Sequence, residues 1–299
     1  MHVLSIEKFV LTIILFCGLT DIIGGQEKKS LYPYENETLI INSIIDSLPK
    51  LESDSLRLKL NIQVTENFKR ILCQPKSFSF EFDSLKHIGK LFSPDKKFRI
   101  VSWNVPFTDG THRFFSLIQM NPEKDTICKI FVLKDNSTSA STRIFEARLT
   151  SNNWYGALYY NILPVKTDKG TVYTLLGLRF NDLFTTQKVI ESMYFDITGM
   201  PMFGASVFYY NNRIQTRIIF EYGINVSMSL RFDERLKMIV FDHLAPSSPL
   251  YTNNFKFYGP DFTFDGLKFD DGKWMYIPNV DFRNSSKTVP YKKNDRRPK

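Results

Sequence analysis

The stretch that decides the fold class reads FRIVSWNV (98–105), then a turn at Asp109-Gly110, then RFFSLIQM (113–120). Both halves are rich in β-branched and aromatic residues, which favour strands. An Asp-Gly pair between two such halves is typical of a β-hairpin. The sequence therefore predicts an antiparallel hairpin over 98–120.

The same texture continues on both sides of this hairpin. Phe residues alternate with polar residues at 78–82, and a second hairpin is predicted from 154–162, a turn ending in Gly170, and 171–178. Turn signals recur up to Asp271-Gly272, and the one segment after residue 75 with a helical alternative is 185–192. We predict a mainly β domain over 76–284, an antiparallel meander of hairpins. SPDKKFRI (93–100) resembles the strand-opening phrase of β-propeller blades, and both a propeller-like and a sandwich arrangement remain open.

A short helical region is predicted before this domain, over 26–75. Residues 37–48 place their apolar side chains on one helical face, and Pro49 ends the run. Residues 55–72 fit two patterns, because strand-like alternation runs to Val64 while a helical stripe continues to Leu72. We interpret 55–72 as a helix, since the helical pattern lasts longer.

The first 25 residues are typical of a secretory signal peptide. An apolar run of eleven residues, 9–19, is long enough for the core of such a signal and too short to cross a membrane, which takes about 20 residues. Cleavage after Gly25 would leave Gln26 as the amino terminus. Cys17 could instead suggest a lipoprotein, but Phe16 stands where a lipidation signal has a small residue. We therefore predict an exported protein, periplasmic or envelope-associated.

Removal of the signal leaves two cysteines, Cys73 and Cys128. In an exported protein they can form a disulfide, and the alternative is two separate buried thiols. The sequence favours neither, because it gives no distance between them. With no further cysteine and no Cys/His cluster, a structural zinc site is excluded.

Composition and charge restrict the partners. The chain has 299 residues, 43% of them hydrophobic and 23% charged, so it can bury a core. The formal net charge is +8, and six Lys or Arg residues against one Asp lie in a basic tail at 285–299, which we expect to be disordered. The tail has the composition to bind an anionic surface or envelope component. Export argues against nucleic acid as the partner.

Several later phrases carry a family resemblance. They are WYGALYY (154–160), YTLLG (173–177), MSLRFD (228–233), MIVFDHL (238–244) and FYGPD (257–261). Together they resemble a family of uncharacterised exported proteins of Bacteroidota, over residues 75–284. The resemblance implies a Gram-negative envelope setting, and it brings no activity, ligand or catalytic residue with it.

Few residues of the chain are candidates for catalytic chemistry. The chain has no G-x-S-x-G, H-E-x-x-H, P-loop or G-x-G-x-x-G motif, which argues against the common hydrolases and nucleotide-binding enzymes. His112 follows the Asp109-Gly110 turn, and His243 follows Asp242 at a predicted strand end. Either could meet a carboxylate at a sheet rim, with Asp242, His243 and Asp261 as one candidate cluster. A local hydrogen-bonding role for each His is the stronger interpretation.

Two binding hypotheses follow from composition. Asp261, Asp265, Asp270 and Asp271 are close in sequence and have the oxygen ligands that Ca²⁺ prefers, although acidic turns have the same composition without metal. The three tryptophans could stack on sugar rings, but core packing is the better interpretation of Trp residues in strands. We predict no cofactor.

These observations favour a non-catalytic binding or structural component of the cell envelope. The alternative is a secreted hydrolase that acts on glycan or lipid with carboxylate and His groups at the sheet rim. Gathering of those residues in one open cleft would favour the hydrolase.

Overall fold

The structure is a computed structural model that describes residues 34–122, 128–137 and 143–281. The predicted signal peptide (1–25), Cys17 and the predicted basic tail (285–299) lie outside these residues. Two α-helices precede a series of strands: α1 Glu35–Ser47 and α2 Asp54–Leu72. Short 3-10 helices occur at Leu48–Lys50, Ser77–Ser79, Pro249–Tyr251 and Phe255–Phe257. No helix in the described residues combines the length and apolar character needed to cross a bilayer.

The described strands form three sheets, all but one of whose pairings are antiparallel. The first sheet has the order β1-β2-β3-β4, with β1 Gly89–Phe92, β2 Phe98–Pro106, β3 His112–Met120 and β4 Ile130–Lys134. The second has the order β5-β9-β8-β7-β6, with β5 Leu149–Thr150, β6 Leu158–Thr167, β7 Gly170–Phe180, β8 Thr185–Phe195 and β9 Pro201–Phe203. Strand β12, Arg217–Gly223, pairs with β8 as well. The third has the order β11-β10-β16-β15-β14-β13, with β10 Phe208–Tyr210, β11 Arg213–Gln215, β13 Leu230–Asp233, β14 Met238–Pro246, β15 Tyr258–Asp270 and β16 Lys273–Ile277.

This architecture confirms the mainly β prediction with a short helical region before it. The hairpin predicted over 98–120 is β2–β3, which pair from Phe98 opposite Met120 to Pro106 opposite His112. The segment 55–72 is helical, with the Ser53 side chain accepting a hydrogen bond from the Leu56 amide at the helix start. The helical alternative for 185–192 is wrong, because this segment belongs to β8.

The second sheet is buried on both faces. Tyr173, Leu175 and Val189 belong to a core shared with the first sheet, whereas their neighbours Leu176 and Ile190 belong to a core shared with the third sheet. Successive side chains of a strand point to opposite faces, so one strand can supply both cores. The three sheets therefore stack face to face, and a two-sheet sandwich does not describe them.

The helices cover the outer face of the first sheet. Phe68 of α2 packs against Trp103 of β2 with ring centroids 5.1 Å apart, and the Trp103 indole N–H donates to the Asn61 side chain at 2.6 Å. The disulfide between Cys73 and Cys128 joins the end of α2 to the segment before β4, with Cα atoms 5.2 Å apart. The covalent link therefore holds the helical layer against the sheets.

Candidate functional site

Both candidate histidines lie at the same end of the sheet stack. At this end the β2–β3 turn meets the β7–β8 loop, since a Cβ on Gly110 would touch Leu183. The β7–β8 loop in turn accepts a hydrogen bond at the Phe184 carbonyl from the Ile224 amide, at 2.9 Å. The ammonium of Lys256 lies 5.9 Å from the Phe184 ring centroid. We call this set of loops, residues 107–111, 181–184, 224–227 and 247–257, the loop rim.

His243 is held at this end by a buried carboxylate. Its Nδ1 lies 2.8 Å from Oδ2 of Asp265, whose side chain is 4% exposed, while the His243 side chain is 46% exposed. The same carboxylate accepts hydrogen bonds from the Tyr276 hydroxyl at 2.8 Å and the Asn279 amide at 3.0 Å. A carboxylate can only accept, so Nδ1 carries a proton and Nε2 is directed away from Asp265. This arrangement fixes the ring and its tautomer.

The strand register explains why His243 faces this way. Asp242 pairs with Phe264 and Leu244 with Pro260, so three residues of β15 oppose the single residue His243 of β14. The central one of those three, Phe262, has a φ of 69° and is 92% exposed. An irregularity of this kind bends the strand and redirects side chains, and bulges are frequent beside functional sites.

The Asp265 carboxylate affects the pKa of two tyrosine hydroxyls. Burial raises the pKa of Tyr276, and its hydrogen bond to Asp265 raises it further. Burial, followed by the nearby Asp265 charge, raises the pKa of Tyr210 to about 12. The two rings contact edge to face with centroids 5.0 Å apart. Both hydroxyls therefore stay protonated at neutral pH.

The cluster expected from the sequence is only partly assembled. Asp242 is bound to the edge of the third sheet, where its Oδ2 accepts from the Ser229 amide at 2.7 Å, and strand alternation places it on the face opposite His243. Asp261 does lie near His243, because it belongs to the bulge of β15 that opposes this residue. The close partner of His243 is Asp265, which the sequence suggested only as a calcium ligand.

A groove of about 450 Å³ opens beside His243, and its wall residue Asp261 is close enough to feel the His243 charge. It lies between the ends of β14 and β15 and the loop that follows β12. Its walls are formed by Val226, Ala245, Pro246, Ser247, Lys256, Phe257, Tyr258, Gly259, Pro260 and Asp261. Partial burial acts to raise the pKa of Asp261, but hydrogen bonds from Thr263 and the nearby His243 outweigh it and hold the pKa below its usual value. The groove thus combines apolar walls with a lysine and an ionised carboxylate.

His112 has a different environment, in the gap between the first and second sheets. Its Nδ1 lies 2.7 Å from the Asn104 amide nitrogen, and its ring packs on Phe180 with centroids 4.9 Å apart. Burial lowers the pKa of His112, and the positive charge of Arg179 lowers it further. Asp109, the acid of the preceding turn, accepts instead from the amide and hydroxyl of Thr111. His112 is therefore a neutral packing residue and not half of an acid–base pair.

A polar network in the same gap was not predicted from the sequence. The Arg179 guanidinium donates to the carbonyls of Tyr155 and Gly156 at 3.0 and 2.9 Å, and it lies 3.9 Å from the Asp135 carboxylate. The Tyr155 hydroxyl donates to Gln187 at 2.9 Å, and burial raises the pKa of Tyr155 to about 12. These groups come from distant segments, so no local motif identifies them.

The four aspartates considered for calcium are spread along β15 and the turn after it. Asp265 is fully engaged with the donors described above, and Asp270 and Asp271 lie at the far end of β15. Asp261 and Asp270 are nine positions apart, which corresponds to roughly 30 Å of extended chain. In the described residues no group of three or more His, Cys, Asp or Glu side chains has the arrangement to hold a metal ion.

The three tryptophans are core residues. Trp103, Trp154 and Trp274 are 1%, 0% and 2% exposed. Each indole N–H donates to a side-chain oxygen, from Asn61, Tyr159 and Thr174 respectively. They leave no tryptophan face for stacking on a sugar.

Comparison of the chain with protein-family models, with curated proteins and with solved structures gives no match. Function is therefore inferred from the site itself.

Proposed function

We propose that this protein is an exported component of the cell envelope that binds a ligand in the groove beside His243. The observation that carries the proposal is the groove itself, whose walls combine apolar side chains with the charged groups Asp261 and Lys256. Next to Asp261 lies His243, which a buried carboxylate fixes. Ligand sites in proteins are commonly concave and mostly apolar, with a few oriented polar groups.

Support for export comes from the signal-like amino end and from the Cys73–Cys128 disulfide. Disulfides form and persist in oxidising compartments such as the bacterial periplasm and are rare in the cytosol. Intact-mass measurement on protein from the native cells tests this part. An amino terminus near Gln26 and no thiol available for alkylation are expected. A chain that keeps residues 1–25 and has all three thiols, Cys17 included, open to alkylation would contradict export.

The groove is tested with a variant that fills it. A Cβ on Gly259 would lie 3.5 Å from Val226, which is an ordinary contact distance. The Cβ of a leucine at this position is therefore accommodated, and the rest of the leucine side chain in Gly259→Leu fills the groove. Thr171→Leu, at the opposite end of the stack, is the matched control. The probes are soluble peptidoglycan fragments, chito-oligosaccharides and a lysophospholipid, and the measurement is the thermal midpoint.

We expect one probe class to raise the midpoint of the wild type and of Thr171→Leu but not that of Gly259→Leu. Equal responses of all three proteins to every probe that binds would refute the groove as the binding site. No response of the wild type to any of the probes would contradict the envelope-ligand assignment.

A hydrolase is the second candidate, and the His243–Asp265 pair is the observation that favours it. A histidine whose Nδ1 donates to a buried carboxylate can use Nε2 to take a proton from an attacking water, while the carboxylate stabilises the imidazolium. Nitrophenyl esters and glycosides test this candidate. Loss of hydrolysis in both His243→Gln and Asp265→Asn, with activity kept in His112→Gln, would favour catalysis. Hydrolysis that persists in His243→Gln would exclude a hydrolase mechanism based on His243.

A further inference from the structure

The loop rim carries a concentration of exposed apolar side chains. Among the described residues fifteen large hydrophobic side chains are exposed, and eight of them belong to the loop rim or the adjacent bulge: Leu183, Phe184, Ile224, Val226, Leu250, Tyr251, Phe255 and Phe262. Exposed single apolar residues are ordinary, but a cluster of them marks a contact surface.

These side chains are at loop tips and not on a sheet face. Leu250 is 91% exposed and Leu183 and Phe184 are each 60% exposed. The loop that carries Leu250 is internally ordered, because Ser248 caps its short helix and the Tyr251 and Phe257 rings stack with centroids 4.0 Å apart. The tips are therefore held outward by the fold.

One basic side chain of the loop rim, Lys256, lies among the apolar tips, and the rim also carries the acidic Asp109 and Asp182. Lys256 places its ammonium 4.9 Å from the Phe257 ring centroid and 5.9 Å from that of Phe184, so its stem covers apolar surface while its charge stays outside. The described chain ends at Asp281 beside the bulge, since the Val280 amide donates to the Phe264 carbonyl at 2.7 Å. The sequence reaches its basic segment, 287–299, only six residues later.

We infer that the loop rim docks on the surface of a lipid bilayer that contains anionic lipids, with the apolar tips inserted at the interface and the basic segment bound to headgroups. Apolar side chains inserted below the headgroups and clustered Lys and Arg above them are the two contributions that hold peripheral proteins on membranes. This inference goes beyond groove binding and does not depend on it.

Insertion is tested on the purified full chain as the cells export it, with vesicles of phosphatidylethanolamine and phosphatidylglycerol at 3:1. Leu250→Trp is the reporter, and Ile197→Trp is its matched control, because Ile197 is fully exposed in the β8–β9 turn at the opposite end. The native tryptophans are buried and give a constant background. We expect the emission of Leu250→Trp to shift to shorter wavelength with vesicles and to be quenched by brominated lipid, and the Ile197→Trp emission to stay unchanged. Equal behaviour of the two reporters would overturn the inference.

Affinity is measured by co-sedimentation with the same vesicles. The double change Leu183→Ser and Phe184→Ser should weaken binding by at least about tenfold, because two inserted side chains are lost. Ile197→Ser should bind as the wild type does, and circular dichroism checks that each variant is folded. Removal of residues 285–299 should lower the affinity for the vesicles, and the affinity that remains should change less with salt concentration.

Two further outcomes would overturn the inference. Binding that is lost on removal of 285–299 but unchanged in the serine double variant would assign the membrane contact to the basic segment alone. A dimer in light scattering that the serine double variant dissociates, together with no vesicle binding, would make a second copy of the chain the partner of the loop rim.

Discussion

Replacement of Arg217 by Met should destabilise this protein strongly, because it leaves a buried carboxylate without its cation. Glu191 of β8 and Arg217 of β12 are both 0% exposed, and Arg217 Nε lies 2.8 Å from Glu191 Oε1. The other Glu191 oxygen accepts from the Tyr159 hydroxyl, which accepts in turn from the Trp154 indole N–H at 2.8 Å. Burial, and then the Glu191 charge, raises the pKa of Tyr159 well above its usual value.

The magnitude follows from what remains after the change. Loss of one partner of a buried ion pair costs about 3–5 kcal/mol of unfolding free energy, because the other charge stays desolvated. The double variant Glu191→Gln with Arg217→Met removes both charges, and the carbonyl oxygen of the introduced amide can still accept from Tyr159. The carbonyls of Ile144 and Ala147 lose the Arg217 donor but keep the Ala147 amide and the Thr216 hydroxyl as donors. The remaining defect is the buried NH2 of the introduced amide, which faces the apolar Met side chain and costs about 1–3 kcal/mol. The double variant should therefore be more stable than Arg217→Met alone.

The assay is urea unfolding, monitored both by tryptophan fluorescence and by circular dichroism. Coincident transitions from the two probes indicate a single unfolding step. Among the described residues Arg217 Nη2 has no hydrogen-bond acceptor, which limits what the guanidinium contributes beyond the pair. The cycle of both single variants and the double variant should give a coupling energy of about 2 kcal/mol or more. Additive effects, or a cost of less than about 1 kcal/mol for Arg217→Met, would refute the reasoning.

Three shorter predictions concern the disulfide and the two histidine sites. Replacement of both Cys73 and Cys128 by Ala should lower the unfolding free energy by about 4 kcal/mol, because the disulfide closes a loop with a sequence separation of 55 and so limits the entropy of the unfolded chain. An unchanged urea midpoint would contradict a disulfide in the native protein. The folded state lowers the pKa of His112, so the unfolded chain binds more protons than the folded chain below about pH 6.5. The free energy of unfolding therefore decreases as the pH falls through this range, by at most about 1.4 kcal/mol per pH unit. His112→Gln should flatten this dependence, and identical slopes for the two proteins would exclude the effect. Asp265→Asn should lower the pKa of Tyr276, followed by the absorbance of tyrosinate on alkaline titration, and an unmoved transition would mean that burial alone sets this pKa.

Local patterns predicted much of the fold. The β2–β3 hairpin depends on an Asp-Gly turn between two strand-forming halves, and all of this information lies within 23 residues. Helix α2 depends on a stripe that repeats along one segment. Features of this kind are visible in the sequence because each is determined by neighbours along the chain.

The segment 185–192 shows where local patterns fail. Its strand β8 is buried on both faces, so polar and apolar residues need not alternate as they do in a half-exposed strand. Polar residues inside it, such as Glu191 and Ser192, are satisfied by partners from other strands or loops. The stacking of three sheets therefore hides the signal that would have identified this strand.

The partner of His243 was missed for a related reason. Asp265 is 22 residues away, and only the register of β14 on β15 brings the two side chains together. Two extra residues in β15 change that register just beyond His243, so a simple ladder counted from the strand ends would place the wrong residue opposite. The adjacent Asp242 attracted attention because it is next in sequence, yet a strand turns neighbours to opposite faces.

The stacked architecture also explains why functional groups gather at one end. Sheets that cover each other's faces leave polar side chains either paired inside, as with Glu191 and Arg217, or placed where the gaps between sheets open to solvent. His243 with Asp265 occupies the mouth of one gap, whereas Arg179 with Asp135 is paired inside the other gap, with side chains 8% and 4% exposed. Within the part of the chain that the structure describes, no sheet covers the loops around the mouths of these gaps, and their apolar tips are exposed. If the loop rim contacts a bilayer, the groove beside His243 opens next to the lipid headgroups, and a ligand drawn from the membrane surface would reach it without crossing bulk water.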